Sequence, residues 1–279
     1  MSFKTLLTIL TDPAKVTETL NSAVLLASRE DAHLDVLSLG IDRTQLGYSY
    51  IGGAAVLAQV SMDRAAEDAE TLDAAARTIL NRQDVRWAAE AAVAQLGSLG
   101  AIVSTKARFA DLVLLPHPYG KDSTSDAEAV LEAALFEGNA PVLLLPRTLL
   151  SETVGKRVVI GWNQGREAMA AIRCALPWLK QADLVNIAVI DPPNYGPERS
   201  DPGGALCQML VRHGVKAEVS VLAKTRPSVS DVLVRHLRDQ NADLLVMGAY
   251  GHSRFREAIL GGATRDMLEM AEGPVFLAH

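Results

Sequence analysis

The stretch GAYGHSRFREAILGGATRD, from Gly248 to Asp266, holds the residues best placed to do chemistry. Gly248 and Gly251 stand three apart, nine residues follow, and then Gly261 and Gly262 are adjacent. Glycine takes up positive φ without steric cost and lets a ligand come close to the backbone. Ala263 and Thr264 follow and open a helical pattern, ATRDMLEMA. A helix N-terminus offers unpaired N–H groups and a partial positive charge, which suits a phosphate. The Gly262 amide has no side chain in its way, and the Thr264 hydroxyl sits in the first turn. Arg254, Arg256 and Arg265 are in reach of an anion there, although an arginine near a helix end is more often solvated. His252 and Ser253 read most simply as solvent-facing loop residues. The plainer alternative for the glycines is a turn between a strand and a helix, with Gly261 and Gly262 letting that helix pack closely.

No other constellation offers a reaction. The six histidines, His33, His117, His213, His236, His252 and His279, are dispersed. No H-E-x-x-H, C-x-x-C or G-x-S-x-G occurs. The segment YGKDST contains Gly-Lys but not a Walker loop, because position 115 is leucine. Asp191 is a weak candidate for a ribose or Mg²⁺ contact. The expectation is a binding protein without catalytic residues and without a structural metal.

The elements that must position the glycines come as a repeat. ADLVLLPHPYG (Ala110–Gly120) is answered by ADLLVMGAYG (Ala242–Gly251), and GNAPVLLLP (Gly138–Pro146) by AEGPVFLAH (Ala271–His279). FKTLLTIL (Phe3–Leu10) parallels GKRVVIGW (Gly155–Trp162). Each half alternates strand and helix. In the first, strands are predicted at 4–10, 33–39, 85–90, 111–115 and 141–145, with helices near 14–29, 58–82, 93–106 and 125–137. In the second, strands are predicted at 157–162, 183–190, 216–222, 243–248 and 274–278, with helices near 165–179, 203–213, 228–239 and 263–271. Runs such as DLVLLP and DLLVMG are apolar at consecutive positions, as in parallel strands covered on both faces. Helices between strands supply the crossovers. The fold class is α/β, in two domains, 1–149 and 150–279, with the boundary inside RTLLSETVGKR (Arg147–Arg157).

Bulk properties narrow the partners. The chain has 279 residues, 49% hydrophobic and 22% charged, an ordinary globular balance. A net charge of −6 implies no broad basic face for nucleic acid or anionic membrane. Cys174 and Cys207 form no spaced motif and read as buried thiols in a reducing compartment. The first apolar run, Thr5–Leu10, is short for a signal segment, and no stretch approaches the roughly 20 apolar residues of a membrane span. A cytoplasmic location is expected.

The second half resembles the universal stress protein family. The resemblance rests on the pattern G-x2-G-x9-G at Gly248, Gly251 and Gly261, on VVIGWNQGREAMAAI (Val158–Ile172), and on NIAVID (Asn186–Asp191). The whole chain looks like a tandem member. The family's usual fold implies, for each module, a five-stranded parallel sheet of order 3-2-1-4-5. It also implies that the last strands, PVLLLP and PVFLAH, pair with each other as an intramolecular pseudo-twofold dimer. Open α/β sheets bind ligands where strand order reverses, so the loop after Trp162 and the loop after Gly248 should flank one crevice.

The ligand so implied is ATP or a related adenine nucleotide, with or without Mg²⁺. Asn163 matches the family's loop aspartate near ribose or adenine. Val189 matches the position whose backbone meets the adenine edge, and Met247 would line the base pocket. Gly248, Gly251, His252, Gly261, Gly262, Ala263 and Thr264 would form the phosphate cradle. Departures are Gly262, where the family pattern has Ser or Thr, and Gln164–Gly165, where it has Gly-Ser. The function implied is a stress-response regulator with an unidentified protein partner, possible also as a homodimer. The alternative is a nucleotide-free scaffold or interaction module.

The first half reads as a degenerate copy. Pro116 and Tyr119 answer Gly248 and Gly251, while Glu128 and Ala129 fall opposite Gly261 and Gly262. Asp126 and Glu128 put negative charge where a phosphate needs a positive field, so no nucleotide is expected there. QLGYSYIGGAAVLAQVSM (Gln45–Met62) reads as a packed crossover or buried contact, with a lid, partner patch or membrane-touching loop as alternatives.

Overall fold

The computed structural model describes residues 3–43, 54–120, 125–192, 200–249 and 263–279. The chain divides into two compact units. One comprises Ser2–Pro118 with Asp122–Ala140, the other Pro141–His279 with Tyr119–Lys121 and Met1.

The N-terminal unit contains β1 (Thr5–Leu10), α1 (Val16–Glu30), β2 (His33–Asp42), α2 (Ala54–Leu80), β3 (Arg86–Gln95), α3 (Leu99–Ala107), β4 (Leu112–Pro116) and α4 (Ser125–Glu132). Its strands lie side by side in the order β3-β2-β1-β4, all parallel. Leu6, Leu112, Val113 and Leu114 are wholly buried. Such consecutive burial is what a strand covered by helices on both faces requires. β3 runs five residues past its predicted end at 90, because β2 also continues and the two pair from His33↔Arg86 to Asp42↔Gln95. α2 begins at Ala54, ahead of its predicted start, and Val56, Leu57 and Val60 in its first turns are exposed. The rest of the Gln45–Met62 segment, residues 45–53, lies outside the described residues.

The C-terminal unit contains β5 (Val142–Leu145), β6 (Arg157–Gly161), α5 (Arg166–Leu179), β7 (Leu184–Ile190), α6 (Gly204–Arg212), β8 (Ala217–Leu222), α7 (Val229–Asp239), β9 (Leu244–Gly248), α8 (Ala263–Met270) and β10 (Val275–Ala278). Its order is β5-β10-β9-β6-β7-β8. Strands β6 to β10 thus follow 3-2-1-4-5, as expected. All of these neighbours are parallel except β5 and β10, which pair antiparallel through Val275↔Leu144, Phe276↔Leu143 and Leu277↔Val142. The two closing strands therefore meet, as the family resemblance implied. Phe276 is fully buried and its ring meets Trp178 of α5 edge-on, 6.0 Å between centroids. α7 opens with a capping box: the Ser228 hydroxyl accepts from the Asp231 amide, and the Asp231 carboxylate accepts from the Ser228 amide.

The repeated Ala-Asp before the fourth strand has one job in both halves. Asp111 Oδ2 accepts from the backbone N–H of Lys4 at 2.7 Å and of Thr5 at 2.9 Å. Asp243 accepts from three amides, Gly155 and Arg157 on Oδ1 and Lys156 on Oδ2, at 3.0 to 3.1 Å. Each carboxylate ties the opening of its half's first strand to the opening of the fourth. Among the described residues, no helix is long and apolar enough to cross a membrane.

Replacing Asp243 by Ala strands three amides and should lower unfolding stability by about 1–3 kcal/mol. Asp243→Asn, which keeps one carbonyl acceptor, should lose less. Urea titrations followed by tryptophan fluorescence rank the three proteins, and an unchanged midpoint for Asp243→Ala would rule out the clamp.

Candidate functional site

Order 3-2-1-4 makes β6 and β9 direct neighbours, joined through Val158↔Leu244, Val159↔Leu245, Ile160↔Val246 and Gly161↔Met247. Their connections leave in different directions at their shared C-terminal end, β6 into α5 and β9 toward α8. A crevice at that reversal is the place where open α/β sheets take ligands.

On the β6 side, Asn163 is exposed and its Oδ1 accepts from the Gly165 amide at 2.9 Å, an Asx turn across Gln164. Gln164 holds a left-handed φ of 64°. Gly165 is the N-cap of α5 and supplies no side-chain cap to it. On the β9 side, Met247 is half-buried and lies between Gly161 and Leu277 in the sheet. A Cβ at Gly161 would stand 3.5 Å from the Met247 Cβ, an ordinary contact distance.

Gly248 has a structural reason of its own. A Cβ at this position would stand 2.4 Å from the Ala168 amide nitrogen and 2.6 Å from the Glu167 carbonyl carbon, both in the first turn of α5. The end of β9 therefore packs directly on the α5 backbone. The next residue, Ala249, donates to the Ala278 carbonyl at 2.9 Å, and its own carbonyl meets His279 Nδ1 at 2.9 Å. His279 thus anchors the point where the glycine-rich stretch departs. Sequence reasoning passed over it as one of six dispersed histidines.

Val189 is buried in β7 and paired with Val221. On either side of it, Val185 donates to Lys216 and Asp191 to Leu222. Alternation along the strand gives Val189 the same orientation, toward β8. The residues turned the other way are Ala188, whose carbonyl accepts from Trp162 at 3.0 Å, and then Ile190, which lies past the end of β6. The free direction at Ile190 follows from a difference in strand length, since β6 ends at Gly161 while β7 continues to Ile190.

Ala263 opens α8, and Thr264 in its first turn is buried. Gly251, His252, Gly261 and Gly262 lie outside the described residues, as do Arg254 and Arg256. Among the described residues no group of three or more His, Cys, Asp or Glu side chains could hold a metal ion. Cys174 and Cys207 are free and half-buried.

In the first half the corresponding helix start is supplied with a carboxylate from the chain itself. Asp126, in the first turn of α4, is fully buried and takes a charge-assisted pair of hydrogen bonds from Arg43, one of them from Nε at 2.8 Å. Asp42, the last residue of β2, accepts from the Ser61 hydroxyl. Position 126 answers no glycine of the second half, so the sequence pointed to its charge but not to its partner.

One titratable group is locked into the β7–β8–α7 layer. Asn186 Nδ2 donates to Glu218 Oε1 at 2.9 Å and to Ser220 Oγ at 2.8 Å. Because Glu218 only accepts, the amide must face it with its nitrogen, leaving Asn186 Oδ1 for His236 Nε2 at 2.7 Å. His236 therefore carries its proton on Nε2. Burial holds its pKa below the usual 6.5, against an opposing pull from Asp239 and Glu218.

Residues 155–279 match the model of the Universal stress protein family. A curated universal stress protein of Synechocystis sp. is 34% identical over 95 residues, which cover 34% of this chain and 32% of that one. The match thus spans about a third of the relative's length. A crystal structure of a universal stress protein from Archaeoglobus fulgidus superposes over 100% of this chain and 96% of its own, with a TM-score of 0.67 at 15% identity. A functionally unknown protein from Pseudomonas aeruginosa covers 99% and 92%, with a TM-score of 0.56 at 16% identity. At such identities the likeness is one of fold.

Two outcomes follow from these contacts. Gly248→Ala should destabilise the protein by about 1–3 kcal/mol even without any ligand, through overpacking against α5; a thermal midpoint equal to wild type would contradict the close approach. His236 binds its proton more weakly folded than unfolded, so its contribution to stability is complete above pH 6.5 and is lost as pH falls from there toward the lower folded pKa. His236→Gln, which still donates to Asn186, should flatten that part of the stability–pH curve, and parallel curves for the two proteins would refute the assignment.

Proposed function

We propose that this chain, which belongs to the universal stress protein family through residues 155–279, is a stress-response regulator that binds ATP or a related adenine nucleotide in that domain. The observation carrying this reading is the adjacency of β6 and β9, which brings Asn163 and the start of the glycine-rich stretch to one end of the sheet. The order of the chain then places Gly261 and Gly262 immediately before α8, where helix amides and the Thr264 hydroxyl suit a phosphate. Asn163 would meet the ribose or base, and Met247 would border the base. The adenine edge, expected at Val189, falls in this proposal to the backbone of Ile190, since Val189 is turned to β8. Gly251, His252, Gly261, Gly262 and Ala263 complete the proposed cradle. Residues 1–149 would be a degenerate module of the same family and residues 150–279 the binding module. Nucleotide occupancy would then set the protein's choice of partner, with hydrolysis slow or absent.

A second reading, a nucleotide-free interaction module, gains from one observation. The bare backbone at Gly248 is already required by the α5 contact, so that glycine needs no ligand to explain it.

Equilibrium dialysis with ATP, ADP and AMP separates the two. The proposal expects saturable binding at or below millimolar nucleotide. Thr264→Val should weaken it roughly tenfold, the loss of one hydrogen bond to a charged group. Gly262→Val, which adds a branched side chain just before α8 in the sequence, should abolish it. Absence of binding by the wild type at millimolar concentrations leaves the interaction module standing.

A further inference from the structure

The two halves differ at one matching place on their sheets. In the C-terminal unit Val159 pairs with Asn186, and Asn186 with Glu218. Asn186 is buried there and bonded to Glu218, Ser220 and His236 of α7. In the N-terminal unit Leu7 pairs with Asp35, and Asp35 with Ala88. Counting back from the shared Ala-Asp before the fourth strand, Ser104 of α3 takes the place of His236. Its hydroxyl turns back to the Ala101 carbonyl at 3.3 Å, so it does not bond Asp35. A half-open cavity of about 220 Å³ lies between this sheet face and the C-terminal end of α3. That is below the roughly 300–1,000 Å³ of drug-sized sites and suits a smaller ligand.

The lining that solvent reaches sets the chemistry. The Asp35 side chain is about half exposed. Among the described residues its carboxylate has one polar contact, His33 Nε2 at 3.3 Å, an ion pair only when the imidazole is protonated. Glu90, diagonal to Asp35 on the same face, is paired with Lys106 of α3 at 2.6 Å. With Glu90 and Lys106 cancelling, Asp35 supplies the net charge of the cavity. Phe109, 75% exposed, stands on its wall, and an aromatic ring attracts a cation over its face. Ala88, exposed on β3, adds a methyl group. A guanidinium answers both features. Its fork of N–H donors matches a carboxylate, and its weakly hydrated plane stacks on an aromatic ring. An ammonium surrenders more hydration for the same contacts.

We propose that this cavity binds a small alkylguanidine, its guanidinium on Asp35 and against Phe109, its short alkyl stem beside Ala88. The site is independent of the nucleotide reading, because no residue is shared between them.

The test follows the backbone amide signals of the ¹⁵N-labelled full chain during titration with butylguanidinium. Those of Ala88, Glu90 and Phe109 should move saturably. Those of Glu218, Ser220 and Asn241, their counterparts in the second half, should stay in place. Neutral butylurea, of the same shape, should bind about two- to fivefold more weakly, as expected for one exposed charge pair. Asp35→Asn should erase that difference. Phe109→Leu should weaken butylguanidinium about two- to fivefold, the loss of one exposed cation–π contact, and affect butylurea less. Ala88→Leu, which adds bulk on the exposed strand, should abolish the shifts while the rest of the spectrum stays folded. If the wild type shows no saturable shifts at millimolar butylguanidinium, the site is disproved. If guanidinium and urea bind equally, or Asp35→Asn leaves their ratio unchanged, Asp35 holds no cation there. Butylammonium binding as tightly as butylguanidinium overturns the assignment to a guanidine. Tighter binding of N-acetyl-arginine N-methylamide overturns the assignment to a free compound in favour of an arginine side chain. Should Ala88→Leu fail to fold, the wild-type shifts and the Asp35→Asn ratio decide the matter alone.

Discussion

Everything at the C-terminal ends of β6 and β9 depends on a carboxylate at their other end. A hydrogen bond to a charged acceptor contributes about 1.5–3 kcal/mol, more than one between neutral groups. Asp243 takes up the three amides that precede and open β6, and so fixes where β6 starts relative to β9. Register then follows residue by residue to Gly161↔Met247. A shift of one residue would turn every side chain of β6 to the opposite face, and Gly161 would no longer lie beside Met247. Asp111 applies the same constraint to β1 and β4, which accounts for the Ala-Asp dipeptide appearing in both halves.

Within that frame, Gly248 is where packing and function compete for one explanation. The first turn of α5 comes so close to the end of β9 that even a methyl group is excluded. The same approach brings the first turn of α5, capped by Gly165 without a side-chain bond, against the C-terminal end of β9. A glycine kept for helix packing thus also leaves helix amides near any anion held there. The two roles are compatible, and a substitution at Gly248 cannot separate them.

The architecture was legible because it rests on patterns that repeat. Consecutive apolar runs such as DLLVMG identify strands buried on both faces, and the duplicated segments reveal the two halves. Element ends were less legible. β3 extends to Gln95 only because β2 offers a partner as far as Asp42, and Ala-rich segments such as AAEAAVAQ carry little strand preference of their own. Of the candidate site, Asn163, Met247 and Gly248 could be placed at one end of the sheet once the family resemblance supplied the strand order. The orientation of Val189 could not, since it depends on which neighbour the alternating amides face. His279 and Ala249 form a contact across 30 residues with no local signature. The cavity beside Phe109 also has none, because its walls come from separated segments.

The two halves show how one helix start can serve opposite ends. In the first, the buried Asp126 sits in the opening turn of α4 and is neutralised by Arg43. A negative side chain near a helix N-terminus interacts favourably with the local partial charge. An incoming phosphate would meet that carboxylate and lose the same attraction. In the second, the opening turn of α8 carries Thr264 and, before it, two glycines. Asp266, half-buried, is the acidic residue of that turn. The difference between the halves is therefore not simply loss of a glycine motif. One helix start buries its carboxylate against Arg43, and the other carries the half-buried Asp266 two positions further into its first turn.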